Sequence, residues 1–321
     1  EIIRKAFNLK DTRDWSMSKA RKQLAENQNW KNHISSITYR PFDNQFIYNS
    51  SELVEWPRKE TMQHMSEENL MLITVRQVAE GVFSHAFISD ILVESRITTS
   101  NRGMAYVFPL YLYPDEENHE GLLPMEGIDG VVLEKTANID QMLMKKLEDN
   151  YGKNVSPEDV LFYIYAVLYS PSYRSVYADF LKFDYPRIPF TSDYALFRQM
   201  AELGERLKDL HLMTSDELNE PVVRYQGQGE DIVKFRRYNE DEKRLYINEN
   251  KYFEHLEPEV WEYQIGGYQV LDKYLKDRSK QKLESPRHVI RIATALAKTI
   301  EIQTEIDDVY LSIEKMPIIE I

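Results

Sequence analysis

Glycines and cations that could together hold an anion are concentrated between residues 260 and 278. Trp261, Tyr263 and Ile265 alternate with polar neighbours, the period-2 pattern of a strand with one buried face. Gly266 and Gly267 break that strand, because glycine enters backbone conformations that other residues resist. Val270, Leu271, Tyr274 and Leu275 then fall on one face of a predicted helix, with Lys273, Lys276 and Arg278 off it. Such a strand, glycine turn and short helix could present the amides of Gly266, Gly267 and the helix start to a phosphate. The lysines and the arginine could meet further phosphates. Cations near a helix C-terminus also answer the macrodipole with no ligand at all, so spacing alone leaves both readings open.

A second candidate chemistry is the reading of bases. The mostly apolar run from Asn69 to Val75 ends in Arg76 and Gln77, the side-chain types that pair bidentately with guanine and adenine edges. The competing reading has both bonded to a neighbouring loop. Asn101 and Arg102 sit in the polar stretch 98–103, which offers donors without bulk to phosphates or bases and equally reads as a plain solvent loop. Reaction centres do not emerge. Ser170-Pro171-Ser172-Tyr173 is one residue from the Ser/Asp/Asn-Pro-Pro-aromatic loop with which amino-methyltransferases hold a flipped base, but it lies between two predicted helices rather than after a parallel strand. Gly227-Gln228-Gly229 is followed by a predicted strand and reads as a hairpin, not a cofactor loop. The seven histidines include no His-x-x-x-His pair, and there is no Gly-x-x-x-x-Gly-Lys-Ser/Thr loop. No catalytic residue and no metal ligand is assigned.

Several runs together resemble one family. Tyr39-Arg40-Pro41-Phe42-Asp43, Arg76-Gln77, Phe108-Pro109-Leu110-Tyr111-Leu112-Tyr113-Pro114, the connector 180–190 and the stretch 260–278 look like the C-terminal region of adenine-specific DNA methyltransferases fused to restriction enzymes. The single-polypeptide Type ISP enzymes are the nearest group, and the resemblance runs from about Ile37 to the end. It implies a target-recognition domain lying on double-stranded DNA. Lys273, Lys276, Arg278, Lys280, Lys282, Gly266 and Gly267 would then contact phosphates, and Arg76, Gln77, Asn101 and Arg102 would be the base readers. It also implies a parent enzyme whose covalently linked domains transfer a methyl group from S-adenosylmethionine to adenine N6 and supply nuclease and helicase functions. This chain would itself hold no cofactor, and the parent would be a cytoplasmic enzyme of bacterial-type defence. Two rivals stand beside that reading. The chain could be the methyltransferase itself, against which the absent glycine loop and the broken Pro-Pro motif speak, or a coupling module that touches little DNA.

Composition favours the coupling module more than the reader. The 321 residues carry a formal charge of −13, whereas DNA binding usually draws on a basic footprint. A local basic cleft is still compatible, because fields are screened beyond about 10 Å at physiological salt. Hydrophobic residues at 42% and aromatics at 12% fit an ordered globular chain with a large core, and no run approaches the length of a membrane-spanning helix. With no cysteine there is no disulfide framework and no thiolate metal site. The chain begins at Glu1 with no signal-like segment after it, as a fragment of a longer protein would.

The elements that must position these residues form an α+β chain with a strand-rich N-terminal part, a helical middle and a strand–helix C-terminal part. Residues 1–36 read as a polar helical lead-in from an upstream domain, 37–150 as a strand-rich recognition subdomain, 151–220 as a helical subdomain and 221–321 as a strand–helix recognition subdomain. Residues 37–48 are predicted as two short strands about a turn that Arg40 and Asp43 fix. Residues 104–114 read as an apolar strand, 115–129 as an exposed acidic stretch and 138–151 as a helix. Ser156-Pro157-Glu158-Asp159 is a strong helix start, opening a deeply buried helix that Ser170-Pro171 ends. An amphipathic helix follows over 192–212, then strands over 222–225, 232–236 and 245–247, and a final long helix from Ser285-Pro286.

Overall fold

A computed structural model describes residues 2–6, 9–13, 15–51, 53–54, 57–79, 81–99, 103–114 and 135–320. Asn101, Arg102 and the acidic stretch 115–129 lie outside the described residues. The lead-in forms helices α1 (Ile2–Ala6) and α2 (Met17–Glu26). Strands β1 (Ile34–Arg40) and β2 (Asp43–Tyr48) pair antiparallel, and the chain reverses between them at Phe42, whose φ is +64°. A short helix α3 (Lys59–Met62) leads to β3 (Met71–Thr74). This strand is the centre of an antiparallel sheet between β4 (Phe87–Ser89) and β6 (Tyr106–Pro109), while β5 (Leu92–Val93) turns away to pair parallel with β1. Met71, Ile73, Phe87 and Ile88 are buried, as an apolar run predicts for an interior sheet. The predicted strand over 104–114 is broken in two. The Leu110 amide donates to the Leu70 carbonyl at 2.7 Å and the Tyr111 amide to Asn69 Oδ1 at 3.1 Å, so β7 (Tyr111–Leu112) leaves the sheet and pairs with β8 (Thr136–Ala137).

The helical middle forms from local signals. Asp140 accepts from the amides of Met142 and Leu143 and starts α4 (Gln141–Tyr151). Ser156 and Asp159 form a reciprocal capping box with Pro157 in the first turn, which opens α5 (Pro157–Tyr169). That helix is buried on nearly every side, against α8 (Tyr194–His211) and α11 (Pro286–Ile313). The ring of Tyr163 stacks on Phe197 at 5.0 Å and on Phe190 at 5.1 Å. The short helices α6 (Pro171–Val176) and α7 (Ala178–Leu181) carry the chain into the connector, which the Tyr173 and Tyr163 hydroxyls strap down by donating to the carbonyls of Arg187 and Pro189.

In the C-terminal part β9 (Arg224–Gly227), β10 (Arg237–Asn239), β11 (Arg244–Tyr246) and β12 (Lys251–Glu254) form an antiparallel sheet in the order β10-β11-β12-β9. The hairpin predicted around Gly227 is not formed, because β9 pairs with β12 instead of the segment that follows it. Residues 232–236 are not a regular strand; the amides of Lys234 and Phe235 both donate to the Ile247 carbonyl. A Cβ on Gly227 would stand 1.8 Å from the Asn250 carbonyl oxygen, so the glycine serves the close approach of the chain entering β12. The predicted strand at 261–265 is also corrected. Pro258 starts the short helix α9 (Pro258–Trp261), whose Trp261 stacks on Tyr238 at 5.6 Å. Strand is confined to β13 (Gln264–Ile265), paired across Gly266 and Gly267 with β14 (Tyr268–Gln269), which runs into α10 (Val270–Lys276). Buried apolar side chains from Phe42 to Ile313 form one cluster linking the sheets and the helices, an α+β architecture. Among the described residues no helix is long and apolar enough to cross a membrane.

Candidate nucleic-acid interface

The register of the central sheet brings Arg76, Gln77 and the segments that the Gly266–Gly267 hairpin docks on to one end of it. Thr74 faces Tyr106 and Ile73 faces Phe87 across the antiparallel ladders. The chain that leaves β3 through Arg76 and Gln77, the chain that enters β4 from Ser84 and the chain that enters β6 from Gly103 therefore share that end. The β13–β14 hairpin docks there. The Gly266 amide donates to the Ser84 carbonyl and the Gly267 amide to the Thr98 carbonyl, each at 2.9 Å. The Ser84 hydroxyl returns a bond to the Gly266 carbonyl at 3.2 Å, and the Tyr268 hydroxyl donates to the Thr99 carbonyl at 2.8 Å.

These bonds correct the expectation that Gly266 and Gly267 offer free amides to a phosphate, since both amides are spent on protein carbonyls. Gly266 has φ +60°, and a Cβ there would stand 1.9 Å from the Thr98 oxygen. The first amide of α10, that of Val270, donates to Tyr263. On either side of residues 100–102 the chain is tied together, the Thr99 hydroxyl donating to the Gly103 carbonyl at 3.3 Å.

The candidate cations divide into two groups. Arg278 is committed to the fold: its guanidinium meets both carboxylate oxygens of Asp43, at 2.8 and 3.1 Å, and lies 3.6 Å from the Tyr274 ring centroid. Asp43 is 1% exposed, so this pair joins the first hairpin to the C-terminal helices rather than offering charge to a ligand. Lys273 donates to both oxygens of Asp277 at 2.6 Å and stands over the rings of Tyr39 and Tyr268. Lys276, Lys280 and Lys282 are exposed and form no ion pair among the described residues. Residues 270–291 hold seven Lys and Arg against three Asp and Glu, a local basic excess within an acidic chain. Arg76 and Gln77 are exposed, and each is bonded to the connector: Arg76 Nε to Asp184 at 3.2 Å and Gln77 Nε2 to the Phe183 carbonyl at 3.3 Å. That is the neighbouring-loop arrangement, but an ion pair this exposed is weak and a base edge could replace it.

A cluster that sequence reasoning missed lies beside the hairpin. The Arg40 guanidinium stands 4.0 Å from the Tyr39 ring and 5.1 Å from Tyr268, and bonds to Glu94 at 2.5 Å. Its members are scattered from Tyr39 to Lys273, so no local pattern could have grouped them. Ser170-Pro171-Ser172-Tyr173, by contrast, is a structural joint with Ser170 and Tyr173 buried. Ser170 caps α6, and both serine hydroxyls and the Ser172 amide bond Asp307 of α11 at 2.6–2.8 Å. The buried His211 bonds Tyr165 and Thr299, and desolvation, with Arg174 adding to it, pushes its pKa down to about 3. It is a neutral core group rather than an acid–base catalyst at neutral pH. Among the described residues no three His, Asp or Glu side chains gather as a metal site.

The chain matches the family described as the Type ISP C-terminal specificity domain over residues 1–305. Solved structures similar to it include the following three. One is the ATP-dependent Type ISP restriction-modification enzyme LlaBIII bound to DNA, at 20% identity and a TM-score of 0.67, covering 91% of this chain and 20% of that one. Another is a nuclease-deletion mutant of the Type ISP enzyme LlaGI in complex with a DNA substrate mimic, at 22% identity and a TM-score of 0.59, covering 85% and 20%. The third is a DrdV–DNA complex solved by cryo-electron microscopy, at 21% identity and a TM-score of 0.69, covering 91% and 30%. At these identities the likeness establishes the fold. The chain spans about a fifth of the two Type ISP chains. No curated protein sequence matches it.

Proposed function

The chain belongs to the Type ISP C-terminal specificity domain family, and from that premise we propose that it reads double-stranded DNA for a restriction-modification enzyme. Methyl transfer from S-adenosylmethionine to adenine N6, and cleavage, are then the work of other, covalently linked parts of that enzyme, acting in the cytoplasm in bacterial-type defence. The observation that carries the reading is the convergence, at one end of the β4-β3-β6 sheet, of Arg76 and Gln77, the chain on either side of Asn101 and Arg102, and the hairpin that leads to Lys273 and Lys276. Related structures contain DNA. In this assignment Arg76, Gln77, Asn101 and Arg102 meet base edges, and Lys276, Lys280 and Lys282 meet phosphates, while Lys273 stays paired with Asp277. Arg278, Gly266 and Gly267 hold the frame.

The test is a selection of duplexes from a random-sequence pool with the wild-type chain, followed by fluorescence anisotropy on the selected duplex and a scrambled one. Arg76→Ala is expected to weaken binding to the selected duplex by about 1–3 kcal/mol and to spare the scrambled one. The triple change K276A, K280A, K282A is expected to weaken both equally and to flatten the salt dependence by about 0.9 per lost contact. Equal effects of the two sets on both duplexes would contradict the assignment.

A docking role toward another domain has one observation in its favour. Val176 and Phe180 are exposed on α6 and α7 and Phe183 on the connector after them, the phenylalanines at 77% and 72%, and exposed apolar side chains on one segment suit an interface.

A further inference from the structure

Tyr268 takes part in three sets of contacts at once. Its hydroxyl reaches the Thr99 carbonyl, 169 positions away in the chain, at 2.8 Å. Its ring has two cations near it, with Arg40 at 5.1 Å and Lys273 at 5.6 Å from the centroid. Its backbone pairs with Ile265 across the hairpin whose glycine amides hold Ser84 and Thr98. The hairpin thus grips the backbone that enters β4 and the backbone that leads toward β6, and Tyr268 adds the link to Lys273 on α10.

Sequence reading requires donors held in fixed register against the phosphate contacts that seat the protein on the duplex. We infer that Tyr268 is a positioning residue for sequence discrimination: it fixes the backbone at Thr98 and Thr99 relative to α10, which carries Lys273 near its ring and the exposed Lys276, so that base reading and phosphate seating share one frame. The inference rests on the DNA-reading function proposed above. Without the hydroxyl, the reading end loses its register while phosphate attraction, which carries non-specific binding, stays. Arg40 takes no direct part in reading, since Glu94 and the two tyrosine rings occupy its guanidinium.

The experiment compares the wild-type chain with Y268F, which keeps the ring and removes the hydroxyl, on the duplex recovered by selection and on its scrambled counterpart across a salt series. Y268F is expected to bind the selected duplex roughly fivefold more weakly, the effect of one lost neutral hydrogen bond, with affinity for the scrambled duplex and the salt slope unchanged. S84A, which removes the bond on the other side of the same hairpin, is expected to move the ratio in the same direction. If Y268F weakens both duplexes equally, or discriminates as well as wild type, the inference is overturned. A wild-type chain that recovers no preferred sequence overturns the DNA-reading function, and the inference falls with it.

Discussion

Lys276 and Arg278 stand two positions apart, yet the fold uses them in opposite ways. The arginine fork closes on both oxygens of a carboxylate that is almost fully buried, a geometry that lysine's single point charge cannot reproduce. Replacing Arg278 by alanine strands the Asp43 charge inside the protein, and the unfolding free energy in urea should fall by about 3 kcal/mol. K276A, at an exposed position with no ion pair among the described residues, should stay within about 0.5 kcal/mol of wild type. Equal stability of the two variants would contradict the structural assignment of Arg278. The sequence marked both residues as cations beside a helix end and could not separate them, because the partner that distinguishes them lies 235 positions away. Asp43 was expected to fix its own turn; its carboxylate instead bonds Arg278, so the charge that makes its burial possible is supplied from the far end of the chain.

At the scale of elements, the glycine hairpin is the joint between the two strand regions, and its conformation is testable. Gly266 combines a left-handed backbone with a Cβ position 1.9 Å from a carbonyl oxygen, whereas Gly152 has φ +57° and open space around it. Alanine at Gly152 should therefore cost about 1 kcal/mol of left-handed strain, and alanine at Gly266 about 2 kcal/mol or more, because the hairpin must also move away from Thr98. Urea unfolding of the two variants checks this, and equal losses would mean that the hairpin docks loosely. Elements built from local signals were legible in the sequence: the capping box of α5, the amphipathic α8, and Ser285-Pro286 ahead of α11. The β strands were less so. A two-residue strand such as β13 carries no readable period, Leu110 leaves β6 because Leu70 and Asn69 bond the chain there, and β9 finds its partner beyond two intervening strands. The glycine turn at 266–267 was legible as a break. That its amides would be consumed by Ser84 and Thr98 was not, since those carbonyls have no counterpart in the local pattern.

Across the whole molecule, a net charge of −13 has to coexist with an affinity for a polyanion. Screening makes the local balance decisive, and residues 270–291 supply a basic excess on the segment joined to the reading end through the hairpin. The sequence could name Arg76 and Gln77 and the glycine turn at 266–267; it could not show that the chain at both shares one end of a sheet, which follows from the β3–β4 and β3–β6 registers and the hairpin's bonds. That convergence is most directly tested by hydrogen–deuterium exchange of the wild-type chain with and without the selected duplex. Protection is expected at 75–79, 95–99, 103–106 and 264–282 together, with residues 224–254 of the C-terminal sheet unchanged. Protection that spares the sheet end would contradict a DNA-reading surface at that place.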